Sequence, residues 1–268
     1  MFETAGPQAW LTALVMIAGL IGLRYVLIAG GALALTRLFA RRLAPRRIQL
    51  NPVSDAQLRR EALYSLSTIF VFAAVFLAVF AFNRYAGGLQ IYRDFDDRGW
   101  IWWFCSIVIG LIIHDFYFYW AHRFMHLPGV FERIHRVHHL STNPSPLAAF
   151  AFHPAEAVIE ALVIVVIAAT IPVHPSALLV IGVYSLIMNV IGHLGFELFP
   201  ASWHGHPVLR FLNTATSHNQ HHATFRYNFG LYSLIWDRMF GTLHPKYADL
   251  YSKVTDPDRA PPLPTPAP

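Results

Sequence analysis

Charged residues and cysteine are both scarce in this sequence. Only 13% of its 268 residues are charged, about half the roughly 25% that soluble domains average, which argues against a soluble globular protein. The single cysteine, Cys105, excludes within one chain a disulfide framework, a thiolate zinc site and an iron–sulfur cluster. A basic stripe with interleaved aromatic residues is also absent. The net charge of +5 therefore indicates membrane topology rather than nucleic-acid binding.

Several catalytic motifs are missing as well. The sequence contains neither H-E-x-x-H nor G-x-S-x-G, so nothing indicates a metalloprotease or a serine hydrolase. It also lacks a G-x-G-x-x-G fingerprint and an H-P-G-G haem-binding segment. Electrons for any redox reaction must then come from another protein.

Five apolar stretches are candidate membrane segments. They cover about 10–40, 66–82, 100 onwards into a histidine cluster, 157–171 and 177–195. A membrane-spanning helix needs about 20 apolar residues, so the fourth stretch is short, and it is expected to form a helical hairpin with the fifth. We predict an all-α integral membrane bundle of four to five spans. Residues 1–64 form an anchor and basic loop, 65–255 a catalytic domain, and 256–268 a proline-rich disordered tail.

The arginines predict the orientation of this bundle. Segment 41–60 contains six of them, a strong cytoplasmic signal. The N-terminus is then external, and all histidine clusters lie on the cytoplasmic face as a helical, histidine-rich di-metal cap. We expect a prokaryotic inner membrane.

Histidine is what the sequence has in excess. The word H-x-x-H-H occurs twice, at 135–139 and 218–222, and a pair four residues apart ends the third apolar stretch. Histidine is the commonest metal ligand, and one metal takes about three to six ligands. Nine grouped imidazoles therefore predict two metals. The candidates are His122, His126, His135, His138, His139, His193, His218, His221 and His222.

Helical spacing predicts how each cluster is arranged. His122 and His126 share a helix face with Asp115 and Tyr119. In the second cluster, His135 and His138 are expected on one side of a short helix, and His139 points elsewhere. The third cluster repeats this geometry, so that each adjacent pair of histidines serves two metals.

The sequence leaves the roles of several other polar residues undecided. His114 is two turns above His122, about 12 Å along the axis, too far to share its metal. His153, Asp115, Glu156 and Asn189 are candidates to hydrogen-bond the metal-binding rings. His174 lies in the external turn and is expected to be irrelevant, and three further histidines are expected to be structural. These are His204, His206 and His244.

Residues 110–245 resemble the fatty acid hydroxylase and sterol desaturase superfamily. The resemblance rests on HDFYFYWAHRFMH, HRVHH, AFHPAE, HLGFELFP and HNQHH, followed by YNFG and WDRMFGT in the family's order. It implies a di-iron centre, dioxygen, an external electron donor and a long-chain lipid substrate, with the nine histidines as catalytic metal ligands. Some members have a further histidine where this chain has Glu197. A tenth ligand is therefore Glu197, a water or none.

The favoured function is hydroxylation of a lipid C–H bond with dioxygen, and electrons come from a ferredoxin or cytochrome with its reductase. Imidazole sites bind divalent iron and zinc, so zinc is expected to enter on overexpression, although zinc has no redox chemistry. The near alternative is desaturation of a lipid or sterol at the same site. A membrane metal transport or storage protein is the alternative from a different class, and it requires ligands along the spans.

Overall fold

The computed structural model describes residues 6–49, 51–256 and 258. Every named element in these ranges is helical, and β-structure is limited to isolated bridges. The α-helices are α1 Pro7–Tyr25, α2 Gly31–Leu38, α3 Ala40–Leu43, α4 Asp55–Tyr85, α5 Gly99–Met125, α6 Arg136–His139, α7 Pro154–Ala161, α8 Val163–Thr170, α9 Pro175–Gly192, α10 Ser202–Gly205, α11 Ala215–Thr224, α12 Ile235–Met239 and α13 Tyr247–Thr255. The remaining elements are two π-helical turns and four 3₁₀ turns. The π-helical turns are Val26–Gly30 and Phe131–His135, and the 3₁₀ turns are Ala44–Arg46, Phe95–Asp97, Pro146–Phe150 and Leu209–Phe211.

In the part of the chain that the structure describes, four helices are long and apolar enough to cross a membrane. They are Pro7–Leu38, Asp55–Tyr85, Gly99–Met125 and Pro175–Gly192. This confirms the predicted all-α membrane bundle with four spans. The predicted proline-rich tail falls almost wholly outside the described residues.

The fourth apolar stretch is not one continuous span. It consists of α7 and α8, each of 8 residues, interrupted at Leu162. The pair nevertheless carries the chain from the histidine-rich end to the opposite end. There the Val173 N–H donates to the carbonyl of Gln90 at 2.8 Å and the Val173 carbonyl accepts from Tyr92 at 3.3 Å, both in the loop between α4 and α5.

The two largest apolar cores among the described residues join the long helices. The larger joins α1, α4 and α9 to segment 146–152 through residues such as Ile21, Ile69, Phe150 and Leu186. The second joins α5, α8 and α9. Burial of these side chains fixes the ends of α5 and α9 at the same end of the bundle, where the histidines lie.

Side-chain caps mark where several helices begin. His153 Nδ1 accepts from Ala155 N at the start of α7, and His174 Nδ1 accepts from Ser176 N at the start of α9. A proline follows each of them, as favoured in the first helical turn. His153 is therefore a helix cap rather than a partner of a metal-binding ring. His174 lies 18 residues of α9 away from His193, about 27 Å along the axis, as predicted for the opposite face.

Candidate metal centre

The nine predicted histidines come together at one end of the bundle as two compact groups. Within each group the candidate ligand atoms lie within 4.8 Å of one another. Group 1 comprises His122, His126, His135, His139 and His221, and group 2 comprises His138, His193, His218 and His222. Eight of the nine residues are buried, and only His126 keeps intermediate exposure.

The two H-x-x-H-H words are interleaved between the groups. His135 and His139 belong to group 1 and His138 to group 2, while His218 and His222 belong to group 2 and His221 to group 1. The expectation that His135 and His138 share a side was wrong, because His135 is paired with His139, with their Nε2 atoms 3.0 Å apart. The expected division of each adjacent pair between two positions is confirmed.

The spacing of the ring nitrogens fits metal coordination. Nε2–Nε2 distances are 3.0 to 3.2 Å along His122, His135, His139 and His221 in group 1. In group 2 they are 3.1 to 3.4 Å. Nitrogens about 2.1 Å from one ion, the usual zinc–imidazole length, are roughly 3.0 Å apart at right angles and roughly 3.4 Å apart at tetrahedral angles. Both groups therefore have the dimensions of a metal cage, consistent with a di-metal site.

Hydrogen bonds on the outer nitrogens fix the ring tautomers. Nδ1 of His193 donates to the Asn189 carbonyl at 2.7 Å, and Nδ1 of His222 donates to the Ser141 carbonyl at 2.9 Å. A carbonyl only accepts, so in both neutral rings the proton is on Nδ1 and the lone pair is on Nε2. These two Nε2 atoms are 3.1 Å apart. Two lone pairs cannot share a hydrogen bond, and a cation between them removes the conflict.

Two more rings are fixed by one loop, residues 227–233. His221 Nδ1 donates to the Tyr227 carbonyl at 2.6 Å, and His122 Nδ1 donates to the Phe229 carbonyl at 2.8 Å. Asp237 in turn accepts from the backbone N–H groups of Phe229 and Gly230 at 2.8 and 2.9 Å. The YNFG and WDRMFGT motifs thus support two of the five group 1 rings, His122 and His221.

The environment keeps the rings neutral. Burial, followed by the proximity of other rings, lowers the pKa of His138, His139 and His222 well below the usual histidine value. Burial also lowers the pKa of His193, to about 4. Neutral imidazole is the form that binds metals, so these rings are ready to bind at physiological pH.

Glu156 supports the ring of His135, as predicted. Its Oε1 lies 2.7 Å from His135 Nδ1, and both side chains are almost fully buried. Burial, with a smaller contribution from Glu160, raises the pKa of Glu156 well above its usual value. A cation bound on the far side of the ring would favour the carboxylate form and strengthen this contact.

Removal of this carboxylate is the first testable change. Glu156→Ala is expected to lower metal affinity and turnover roughly 10- to 100-fold, the usual cost of losing a partner of a metal-binding histidine. Metal content after dialysis against a graded chelator measures the affinity. Glu132→Ala is the matched control, because Glu132 is exposed and bonds only the backbone N–H of Gly129. Equal losses in the two variants would contradict the assigned role of Glu156.

Glu197 and Asp115 hold backbone in place and are not members of either group. Glu197 Oε2 accepts from the Thr216 N–H at 2.9 Å, and its Oε1 accepts from the Phe199 N–H at 3.0 Å. It therefore fastens the first turn of α11, which carries His218. Asp115 accepts from the Tyr232 N–H at 2.8 Å. Asp115 was predicted to hydrogen-bond a metal-binding ring, and it instead accepts hydrogen bonds from loop 227–233.

The remaining histidines lie outside both groups. His244 Nδ1 is 2.8 Å from the side-chain nitrogen of Gln220, and His206 Nδ1 accepts from the N–H groups of Val208 and Leu209, both at 3.1 Å. His204 packs against two tyrosines of α13. His114 lies within the bundle beside Tyr232. Within the described ranges, the histidines that the structure brings together are thus the nine candidates named from the sequence.

Sequence reasoning missed the carbonyl groups that orient the rings. Those of Ser141, Tyr227 and Phe229 accept from His222, His221 and His122 respectively. Every residue has a carbonyl, so no side chain signals this role. The local backbone conformation selects these three, in loop 227–233 for Tyr227 and Phe229 and in the segment after α6 for Ser141.

Comparison with known proteins gives one family and a set of related chains. A family model described as fatty acid hydroxylase matches residues 107–242. The chain is 34% identical over 163 residues to a mouse protein named lathosterol oxidase. The aligned region covers 59% of this chain and 52% of the mouse protein. The chain is 28% identical over 232 residues to a Delta(7)-sterol 5(6)-desaturase of Gibberella zeae. That alignment covers 86% of this chain and 68% of the desaturase.

A third relative, a Delta(7)-sterol 5(6)-desaturase of Aspergillus fumigatus, is 31% identical over 215 residues, covering 74% of this chain and 66% of that protein. The chain thus spans about half to two thirds of the length of these relatives, 52%, 68% and 66%. No solved structure matches the chain.

Proposed function

We propose that this chain, which belongs to the fatty acid hydroxylase family, is a membrane oxygenase that hydroxylates a C–H bond of a lipid with dioxygen and external electrons. The nine histidines are its metal ligands, and iron is the metal in the active form. The observation that supports this most directly is the pair of buried nitrogen cages, one of five rings and one of four, whose spacings suit metal ions.

The residues of the chain would prepare the site for this reaction. Nε2 atoms hold the ions, and carbonyls and Glu156 hold the rings at fixed angles. Phe118 and Phe229 pack against His122, with ring centroids 5.1 and 5.6 Å away, and help to exclude water. Two irons, when bound, supply the oxidising power by which dioxygen attacks an unactivated C–H bond.

Lipid or sterol desaturation at the same site is the second candidate. It is favoured by the relatives, which are named as sterol desaturases and a lathosterol oxidase. A metal transport or storage role receives no such support. The two groups found among the described residues lie at one end of the spans, and not along a path through them.

Metal analysis combined with lipid mass spectrometry tests the proposed function. Purified active protein is expected to contain two iron ions per chain, and cells with the gene should accumulate an oxidised lipid that cells without it lack. One metal ion per chain in active protein, or full activity with zinc alone, would refute a di-iron redox reaction. An added double bond in place of an added oxygen would select the desaturase.

The orientation proposed from the arginines places the histidine groups in the cytoplasm and the N-terminus outside. We therefore expect a reporter that is active only in the cytoplasm to be active when fused after residue 256 and inactive when fused before residue 6. A reporter that is active only outside should show the opposite result at the same two positions. The reverse pattern would show that the six arginines of segment 41–60 do not set the topology.

The electron donor is proposed to dock above group 1. His126 is the one candidate ligand with intermediate exposure, and Phe131 covers it with a ring centroid 5.3 Å away. Phe225, held at a φ of 61°, packs on Phe131 at 5.8 Å. Arg226, which follows Phe225 in the chain, and Arg136, which follows His135, are both exposed. Aromatic cover with a basic rim suits an acidic ferredoxin or cytochrome supplied with electrons by its reductase.

Charge reversal tests this docking surface. Arg136→Glu and Arg226→Glu are each expected to reduce carrier-driven turnover roughly tenfold at low salt and to flatten its salt dependence, because rim charges mainly steer association. Reaction driven by dithionite should be unchanged, since it needs no docking. Arg84→Glu, on the opposite side of the membrane in the proposed topology, is the control. An equal loss with dithionite would instead indicate damage to the site.

A further inference from the structure

A second polar cluster lies inside the bundle, away from the nine histidines. It joins His114 of α5, Tyr184 of α9 and Tyr232 of loop 227–233. The rings of His114 and Tyr232 stack with centroids 5.2 Å apart, and those of Tyr232 and Tyr184 meet edge-on at 5.1 Å. His114 lies eight residues before His122, about 12 Å along the helix axis. The cluster is therefore too deep in the bundle to take part in either metal cage.

The apolar side chains around this cluster make its polarity costly. Tyr232 packs with Phe118, Met188 and Leu231 in one buried core. His114 is 8% exposed and Tyr232 is 5% exposed. Polar and ionisable groups at membrane depth are rare and usually functional, so this cluster requires an explanation beyond packing.

Two of its polar atoms have no partner. Among the described residues, neither Nδ1 of His114 nor the hydroxyl of Tyr232 forms a hydrogen bond of normal geometry, and the contact of Tyr232 with the Ser185 hydroxyl is a weak one. Buried polar groups are nearly always hydrogen-bonded, and one that is not costs stability. Both atoms belong to rings that stack on each other, so one small polar group bound at the edges of the two rings would be able to reach both atoms.

Loose packing does not account for these unpartnered atoms. Asp115 accepts from the backbone N–H of Tyr232 at 2.8 Å, from the Ser233 hydroxyl at 2.6 Å and from the indole N–H of Trp236 at 2.9 Å. These three hydrogen bonds anchor the base of Tyr232 firmly. The loop therefore holds the Tyr232 hydroxyl in this position while leaving it without a partner.

We propose that His114 and Tyr232 bind the hydroxyl group of a neutral lipid alcohol, the substrate of the oxygenase proposed above. A hydroxyl group both donates and accepts hydrogen bonds. It can accept from Tyr232 and donate to the unprotonated nitrogen of His114. A charged headgroup does not fit this role, because taking a charge into an apolar bundle costs far more than taking in an alcohol.

The same loop connects this binding site to the metal cages. Loop 227–233 presents the Tyr232 side chain to the lipid, and its Tyr227 and Phe229 carbonyls orient His221 and His122. A lipid whose oxygen binds at Tyr232 is thus located relative to group 1 by a short, well-anchored segment. The hydroxyl group would act as the reference point that decides which carbon reaches the metals.

Binding of two alcohols and their methyl ethers tests this proposal. The probes are lathosterol and hexadecanol, each compared with its methyl ether, which has a similar shape but cannot donate. Competition against radiolabelled lathosterol on purified, metal-loaded protein gives the affinities. We expect wild type to prefer an alcohol. His114→Phe should weaken alcohol binding roughly 3- to 10-fold and leave ether binding unchanged, because an ether has no proton to donate to His114. Tyr232→Phe should weaken the binding of both alcohol and ether, because an ether oxygen still accepts from the tyrosine hydroxyl.

Tyr251→Phe is the matched control, because that buried hydroxyl donates to the Pro200 carbonyl at 2.9 Å. It should keep the wild-type preference. Equal affinity of wild type for alcohol and ether, or an equal loss of both in His114→Phe with two metals still bound, would overturn the proposal. Turnover is not measured in this experiment. A failure of the proposed oxidation would therefore leave the result on hydroxyl binding intact.

Discussion

Replacing His221 with alanine is expected to abolish product formation. His221 contributes Nε2 to group 1, 3.2 Å from Nε2 of His139, and its removal opens one coordination position. Loss of a partner that only supports a ligand costs about 10–100-fold, so loss of the ligand itself should exceed about 100-fold. His138→Ala, His139→Ala and His222→Ala should behave alike. The measurement is product per mole of folded protein in matched membranes.

His174→Ala is the control for this series. His174 is also a histidine with a hydrogen-bonded Nδ1, but it caps α9 at the end opposite to His193. Losing a cap costs some stability, about 0.5–2 kcal/mol, yet turnover of the folded fraction should stay near the wild-type value. If His174→Ala proves as damaging as His221→Ala, both the proposed topology and the ligand assignment fail. Near-normal turnover of His221→Ala would remove it from the proposed ligand set.

The second large loss of activity is expected from Gly230→Ala, which adds one methyl group to the backbone at this position. A Cβ atom there would lie 2.1 Å from the backbone oxygen of Ser233 and 3.0 Å from Asp237 Oδ2, so loop 227–233 would have to move. That movement would displace the carbonyls that orient His122 and His221. Gly230→Ala should therefore lose metal and activity together and lower the melting temperature, because overpacking commonly costs about 1–3 kcal/mol.

Metal content and thermal unfolding of the purified variant check this expectation. Gly31→Ala is the control, since a Cβ at Gly31 meets nothing within 4 Å and alanine favours a helix over glycine. It should unfold at or slightly above the wild-type temperature. Full metal content in Gly230→Ala would show that the loop tolerates a shift and does not set the ring angles.

The sequence was sufficient to predict the helical membrane fold and the nine clustered histidines, because hydropathy and residue spacing report these directly. It could not predict which rings share a cage. On a helix, residues three and four positions away lie nearly equally close to one face, so His135 has two possible neighbours, His138 and His139. The choice depends on the π-helical turn Phe131–His135 that precedes α6.

Two other features were beyond the reach of sequence patterns. The interruption of the fourth apolar stretch at Leu162 involves neither glycine nor proline, and so nothing in 157–171 marks it. The role of Asp115 depends on Tyr232, which is 117 positions away along the chain. Such a long-range contact is decided by how the loop enters the bundle.

The interleaving of the two H-x-x-H-H words has a thermodynamic consequence. Each word contributes two rings to one cage and one ring to the other, so an ion that orders three of these rings also orders a neighbour belonging to the second ion. Binding of the first ion would order most of α6 and α11 at a cost in conformational entropy. The second ion would then bind to a cage that is already formed. If both groups bind ions as proposed, loading is expected to be cooperative, and chains with a single ion should be scarce at every metal concentration.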